Sequence, residues 1–300
     1  MRQHPSASRL GLRFSRHRIA IVSAGLLLVL AVGAALAPAV AAALGVDADG
    51  VDLFNRFAPP SRAHPLGTDE LGRDVLVRLL YGGRISLSVG IAAALGSALI
   101  GTSVGLVAGF YGGRIDALLM RLTDGVIALP FLPLLIVLAA LDLSKLGIPQ
   151  QVATSEHVDL VRIVVIVSLV GWTTVARLVR GSALVLRQQL FVEAARAQGA
   201  GAMRIMLVHI LPNLVSPVIV ATTLAAGNMI LLESVLSFLG LGIQPPTPSW
   251  GNLLTNAQEL IWSAPALAFY PGMLIFVTVI AFNFLGDGLR DALDPRSIQR

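Results

Sequence analysis

Long apolar runs separated by short polar stretches set the pattern of this chain from Ile19 to Leu285. The first run, Ile19 to Gly45, exceeds the about 20 residues a helix needs to cross a bilayer, so it predicts a first spanning helix over 19–45. Ile85 to Phe110 predicts a second, and the run after Arg121, to about Leu141, predicts a third interrupted by Pro130 and Pro133. Such prolines are tolerated in spans whose neighbours satisfy the freed carbonyls, and kinks are the usual result. Ile163 to about Ala176 starts a fourth helix, Leu214 to Leu239 is a fifth and Ala266 to Leu285 a sixth. The expected fold is therefore an all-α polytopic membrane protein with six transmembrane helices.

The polar stretches between these runs carry finer signals. Val46 to Arg84 is the longest and forms an extracytoplasmic loop over 46–84. In it Thr68 is placed to cap a short helix with Asp69 and Glu70 in its first turn. Leu71, Val75 and Leu79 then share an apolar face, and Asp74 can pair with Arg78, which predicts an amphipathic helix along the membrane surface. Gly101, Gly105 and Gly109 recur every four residues on one face of the second span, where they permit close helix approach. Tyr111 to Arg121 is read as a turn, Asp142 to Arg162 as a polar connection, and Gly240 to Pro265 as a loop that Pro245, Pro246 and Pro248 stiffen. Trp250 in that loop is expected at the membrane interface.

Composition agrees with this class and removes others. Hydrophobic residues make up 55% and charged residues 13%, with mean hydropathy +0.80, whereas soluble domains are about one quarter charged. The chain has no cysteine, which excludes a disulfide framework, a thiolate nucleophile and a Cys-based metal site. His4, His17, His64, His157 and His209 are scattered without metal-ligand spacing, and no nucleophile–base arrangement or carboxylate pair falls in a span. Lys145 is the one lysine, and Ser144 precedes it where a P-loop requires glycine, so the chain has no Walker motif of its own. Arg2, Arg9, Arg13, Arg16 and Arg18 precede the first run without an acidic neighbour. That run is longer than a signal-peptide core, so an uncleaved first helix is expected.

Glu233 lies within the fifth apolar run, as does Asn228. A carboxylate there is expensive and should face protein or a water-filled cavity. Two readings stay open: Glu233 and Asn228 near a transport pathway or gate, or Glu233 in a structural pair close to the outer interface. A secondary transporter would be expected to show further intramembrane charges and inverted repeats; no repeat is visible.

Arg187 to Asn213 is a polar, arginine-bearing island between the fourth and fifth runs. Good helix formers from Gln188 to Gln198 end at Gly199, and Gly201 follows closely, so a helix should stop and turn there. Met203 to Leu211 can form a second short helix, which Pro212 separates from the next span. The small side chains of Ala194, Ala195, Ala197, Ala200 and Ala202 permit close approach of another protein, and Glu193 offers a charge for a specific pair.

The run Glu193, Ala194, Ala195, then Gly199, then Leu211 and Pro212 resembles the EAA loop of permease subunits of bacterial ABC importers. HPLGTDELGRDVLVRLLYGGRISLSVG (64–90), GLGIQPPTPSWG (240–251) and GDGLRDALDPR (286–296) are similar to the dipeptide, oligopeptide and nickel branch of that family, in particular its C-type subunit. The resemblance covers about residues 19–296. It implies a type I importer permease fold with a core of five helices over 85–286 after the first, and a coupling loop over 187–213 in which Glu193, Ala194, Ala195, Gly199, Ala200, Gly201, Met203, Arg204, Leu211 and Pro212 meet an ATPase subunit. It further implies a B-type permease partner, two ATP-binding subunits carrying ATP and Mg, and an extracytoplasmic solute-binding protein. No cofactor is expected in this chain, and membrane lipid but no nucleic acid is expected as a partner. Dipeptides or oligopeptides are the expected cargo, with nickel or another small solute such as glutathione as the alternative.

Arginine and lysine are unevenly placed: 15 lie in the N-terminal segment (1–18), the Tyr111 turn, the EAA side and the C-terminal tail (287–300), and 7 in the other three loops. The positive-inside rule then predicts a multi-pass protein of the bacterial inner membrane with both termini and the EAA loop cytoplasmic.

Overall fold

The computed structural model describes residues 17–141, 144, 149 and 156–293. Most of the polar connection 142–162 lies outside these. The first apolar run forms α1 (Arg18–Ala35) and α2 (Ala37–Leu44), broken at Leu36. Pro38 near the start of α2 has no N–H for the carbonyl one turn back, so the ladder is interrupted there. α2 stops at Gly45, whose φ of 67° is left-handed.

The loop after α2 departs from expectation. No helix lies along 68–74; Thr68 and Asp74 instead face each other in an isolated antiparallel bridge. Asp69 explains why. Its carboxylate accepts from the backbone N–H groups of Leu71 and Arg73, each at 2.9 Å, and from Arg73 Nε at 2.7 Å, folding the segment into a turn. Gly72 (φ +75°) completes the turn against Asp52, whose carbonyl oxygen would lie 1.8 Å from a β-carbon there. Thr68 is not a helix cap, because its hydroxyl accepts from the N–H of Ala58 and donates to the carbonyl of Asn55. The cap is Asp74, which accepts from Val77 N–H at 2.8 Å. Arg78, expected to pair with Asp74, reaches Asp49 at 3.2 Å and lies 3.7 Å from Asp69, while Asp74 bonds His64 at 3.0 Å.

Capped at Asp74, the second span starts at Val75 rather than Ile85: α3 runs Val75–Tyr111. The segment read as a turn is helical, α4 (Gly113–Ala128), followed by α5 (Phe131–Ala139). α4 and α5 meet at 87°, so the third run is broken into two helices at the prolines. Pro130, which cannot donate, sits at the joint. α6 is Glu156–Leu186 and α7 Leu190–Ala197. A single turn, Ala202–Arg204, leads through a π-helical stretch, Ile205–Ile210, into α8 (Leu211–Phe238). Pro212 therefore does not separate a short helix from the span. It stands in the first turn of α8, and the wider π turn before it accommodates a residue without N–H. α9 (Ala257–Leu260) precedes α10 (Pro265–Leu293), which extends past the expected end at Leu285.

Five of these helical stretches are long and apolar enough to cross a membrane, and the bent pair α4–α5 makes six if counted as one span. No strand occurs among the described residues. α3 is the central helix. The glycine face predicted on it packs on α6, where β-carbons at Gly101, Gly105 and Gly109 would lie 2.6, 2.4 and 2.8 Å from the carbonyl oxygens of Trp172, Ala176 and Arg180. α8 crosses the same helix at Gly90, against Ile230, and meets α10 at Gly227. In lipid such close approach replaces the hydrophobic driving force that water would supply.

Candidate functional site

The polar island folds into a knob on one end of the helix bundle. Val192 is fully buried and Ala195 nearly so, packed with Ile205, Met206 and Ile210 against Phe110 of α3 and Val179 of α6. Gly199 adopts φ +81°, and the N–H of Ala200 bonds the carbonyl of Ala195 at 3.0 Å, closing α7 with a left-handed turn. No atom lies within 4 Å of a β-carbon built at Gly199, so backbone conformation alone calls for glycine there. The outward face carries Glu193, Ala194, Gly199, Gly201, Met203, Arg204 and Pro212, all exposed, with Ala200 and Leu211 half-buried. Ala195 is the member of the predicted set that turns inward. Leu190, 82% exposed, and Phe191, which the sequence pattern did not single out, extend the exposed Met203 into an apolar rim. Among the described residues Glu193 has no ion-pair partner. Its place in the first turn of α7 is favourable to a carboxylate.

Arginines that served in the sequence only as a topology signal tie the knob's surroundings together. Arg180 of α6 grips Asp116 of α4 through Nε and Nη2, the latter at 2.7 Å, and Arg177 reaches Asp124 at 2.6 Å. Arg187 donates to the carbonyl of Phe110 at 3.3 Å, and the Arg196 guanidinium stands 5.7 Å from the centre of the Phe110 ring. Partners this distant in sequence leave no local pattern.

Glu233 lies toward the other end of α8, fully buried, and Asn228 is exposed on the same helix, so the two do not form one site. Three serine hydroxyls surround the carboxylate: Ser86 of α3 at 2.9 Å, Ser237 at 2.8 Å and Ser234 at 3.4 Å. The same serines hold the loop after α8, because Ser86 accepts from Trp250 N–H at 3.1 Å and Ser237 from Ile243 N–H at 3.0 Å. Trp250 is not at an interface: it is 2% exposed, and its indole N–H donates to the carbonyl of Leu79 at 2.9 Å. A recess of about 260 Å³, lined by Asp69, Arg73, Arg78, Gln244, Asn252 and Asn256, separates this loop from the one before α3. Among the described residues no group of three or more His, Asp or Glu side chains could hold a metal ion.

Comparison with known proteins gives the arrangement a context. Residues 101–299 match the family described as "Binding-protein-dependent transport system inner membrane component". The glutathione transport system permease protein GsiD of Pectobacterium atrosepticum is 42% identical over 285 residues, 95% of this chain and 89% of that protein. GsiD of Escherichia coli O157:H7 is 43% identical over the same share of this chain and 88% of its own length. The dipeptide transport system permease protein DppC of Alkalihalophilus pseudofirmus is 43% identical over 242 residues, 81% of this chain and 75% of that protein.

Proposed function

Because the chain belongs to the inner membrane component family of binding-protein-dependent transport systems, we propose that it is the C-type permease subunit of an ATP-driven importer for dipeptides or other short peptides. What carries the proposal is the 42–43% identity to glutathione and dipeptide permeases across 81–95% of the chain. Glutathione stood with nickel as the alternative cargo on sequence alone; being itself a tripeptide, it joins dipeptides in supporting small peptide cargo rather than nickel.

In this proposal a B-type permease lies beside the chain and the cargo passes between them. Two ATP-binding subunits, identical or distinct, bind ATP and Mg and perform the hydrolysis, and a solute-binding protein delivers cargo outside. The knob around Glu193 docks on an ATPase subunit. Its buried Val192 and Ala195 anchor it to α3 and α6, so displacement of the knob is passed to the spans rather than absorbed by a loose loop. The arginine asymmetry supports placing the knob and both termini in the cytoplasm, with the loops before α3 and after α8 outside. Glu233 acts there as a latch for the outer loop.

The test is reconstitution with the partner permease and both ATPase positions filled, in vesicles containing ATP and Mg. ATP-dependent uptake of labelled dipeptide or glutathione is expected only when the binding protein is present. Uptake of nickel alone would overturn the cargo, and uptake without the ATPase subunits would overturn the class. For orientation, single cysteines at Gln198 and Gln244 in this Cys-free chain are offered a membrane-impermeant thiol reagent; labelling of intact cells at Gln198 but not Gln244 would reverse it.

A further inference from the structure

A cavity of about 380 Å³ opens between α1, the start of α3 and α10. Its rim is exposed: Val29 of α1 is 67% and Phe269 of α10 60% accessible. Its floor is buried: Ala34, Leu79 and Trp250. Gly33 contributes no side chain to one wall, and Trp250 cannot swing into it because both its N–H groups are bonded, to Ser86 and to Leu79.

What fills this space follows from where it lies. Its walls belong to membrane-spanning helices, so the medium at the rim is hydrocarbon. Every lining side chain is apolar apart from the Tyr270 hydroxyl and the Trp250 indole, and the indole N–H is already bonded, so water would find too few partners to stay. A helix is also excluded, since one is about 10–12 Å across. At about 30 Å³ for a water-sized group the cavity has room for roughly a dozen, which suits a run of methylenes.

We propose that this cavity is a lipid site: one acyl chain of a phospholipid enters between Val29 and Phe269 and lies against Ala34, Leu79 and Trp250. Leu66, from the loop before α3, lines the same cavity, so the lipid belongs to the leaflet on that side of the membrane. The chain end then touches the indole whose backbone closes the Glu233 latch, and the occupied cavity supports that latch from the lipid side. None of this depends on the cargo or on ATPase docking. It needs only that the spans sit in a bilayer.

The assembled complex in vesicles doped with a phosphatidylcholine carrying a mid-chain diazirine is irradiated, and the adducts are mapped by peptide mass spectrometry. Bulk lipid is expected to mark exposed residues such as Leu99 and Leu169, whereas a seated chain also marks the buried floor, Ala34, Leu79 or Trp250. Gly33→Leu and Leu80→Phe, which add bulk to the cavity from adjoining positions on α1 and α3, are each expected to reduce floor adducts at least tenfold while leaving those at Leu99 unchanged. Adducts confined to exposed residues in the unaltered complex would overturn the site. So would floor adducts indifferent to both fillings.

Discussion

The hydroxyl of Ser86 stands between two elements far apart in sequence: it donates to Glu233 at 2.9 Å and accepts from the backbone N–H of Trp250 at 3.1 Å. One oxygen thus joins α3, α8 and the loop after α8.

Ser86→Ala removes the donor to a buried carboxylate and the acceptor of a buried N–H together, and leaving such groups unsatisfied costs about 1–3 kcal/mol each. Thermal unfolding of the purified complex should shift down, and the loop around Ser249 should become open to protease. Glu233→Gln, which keeps the shape and one of the two acceptor oxygens, should be milder than Glu233→Ala; equal losses for the two would show that the second acceptor oxygen, not filling the space, is what matters.

Gly105 tests the central helix pair. A β-carbon there would lie 2.4 Å from the carbonyl of Ala176, with backbone on both sides and no flexible side chain to move away. Overpacking of this kind typically costs about 1–3 kcal/mol, so Gly105→Ala should lower folded yield and Gly105→Val should lower it further. The matched control is Gly25→Ala on α1, where a β-carbon meets nothing within 4 Å and no loss is expected.

At the knob, Glu193→Ala and Gly199→Val separate recognition from shape. Losing one partner of a desolvated charge pair should weaken ATPase docking by roughly tenfold or more. Gly199→Val strains a left-handed residue and should misplace the whole outward face. Both variants should still insert in the membrane, and Arg62→Ala, in the loop before α3, serves as control. Wild-type complex recovery and uptake by both variants would remove the coupling role.

The Asp116–Arg180 pair predicts coupling between α4 and α6. Asp116→Ala and Arg180→Ala should each destabilise, and the double variant should lose less than their sum by about 0.5–3 kcal/mol. Strict additivity, measured by thermal unfolding of the complex, would show the pair to be energetically idle.

Elements governed by local chemistry were legible in the sequence: the stop at Gly199 needs only one left-handed residue, and the glycine repeat from Gly101 to Gly109 states its own spacing. Elements decided by competition were not. Thr68 and Asp74 are both good helix caps, and the choice fell to Asp74 because Asn55 and Ala58, distant in sequence, claimed the Thr68 hydroxyl. Pro212 reads as a separator until the π turn before it is seen. Glu233 called for a partner, but nothing in one-dimensional spacing identifies Ser86 as that partner or places Trp250 beneath it.

The unbroken passage of the chain from Ala202 through the π turn to Phe238 has a mechanical meaning. At 1.5 Å per residue its 37 residues make a strut of about 55 Å. Its near end is part of the knob and its far end holds Glu233. A hydrogen-bonded helix resists stretching, so a push along its axis at one face of the membrane arrives at the other as a displacement of the serines that fasten the loop there. The wider π turn and Pro217, which removes one bond from the ladder, are where such a strut yields in bending. In the proposed importer this helix serves as a push-rod between knob and outer loop, beside the path that Val192 and Ala195 open into α3 and α6.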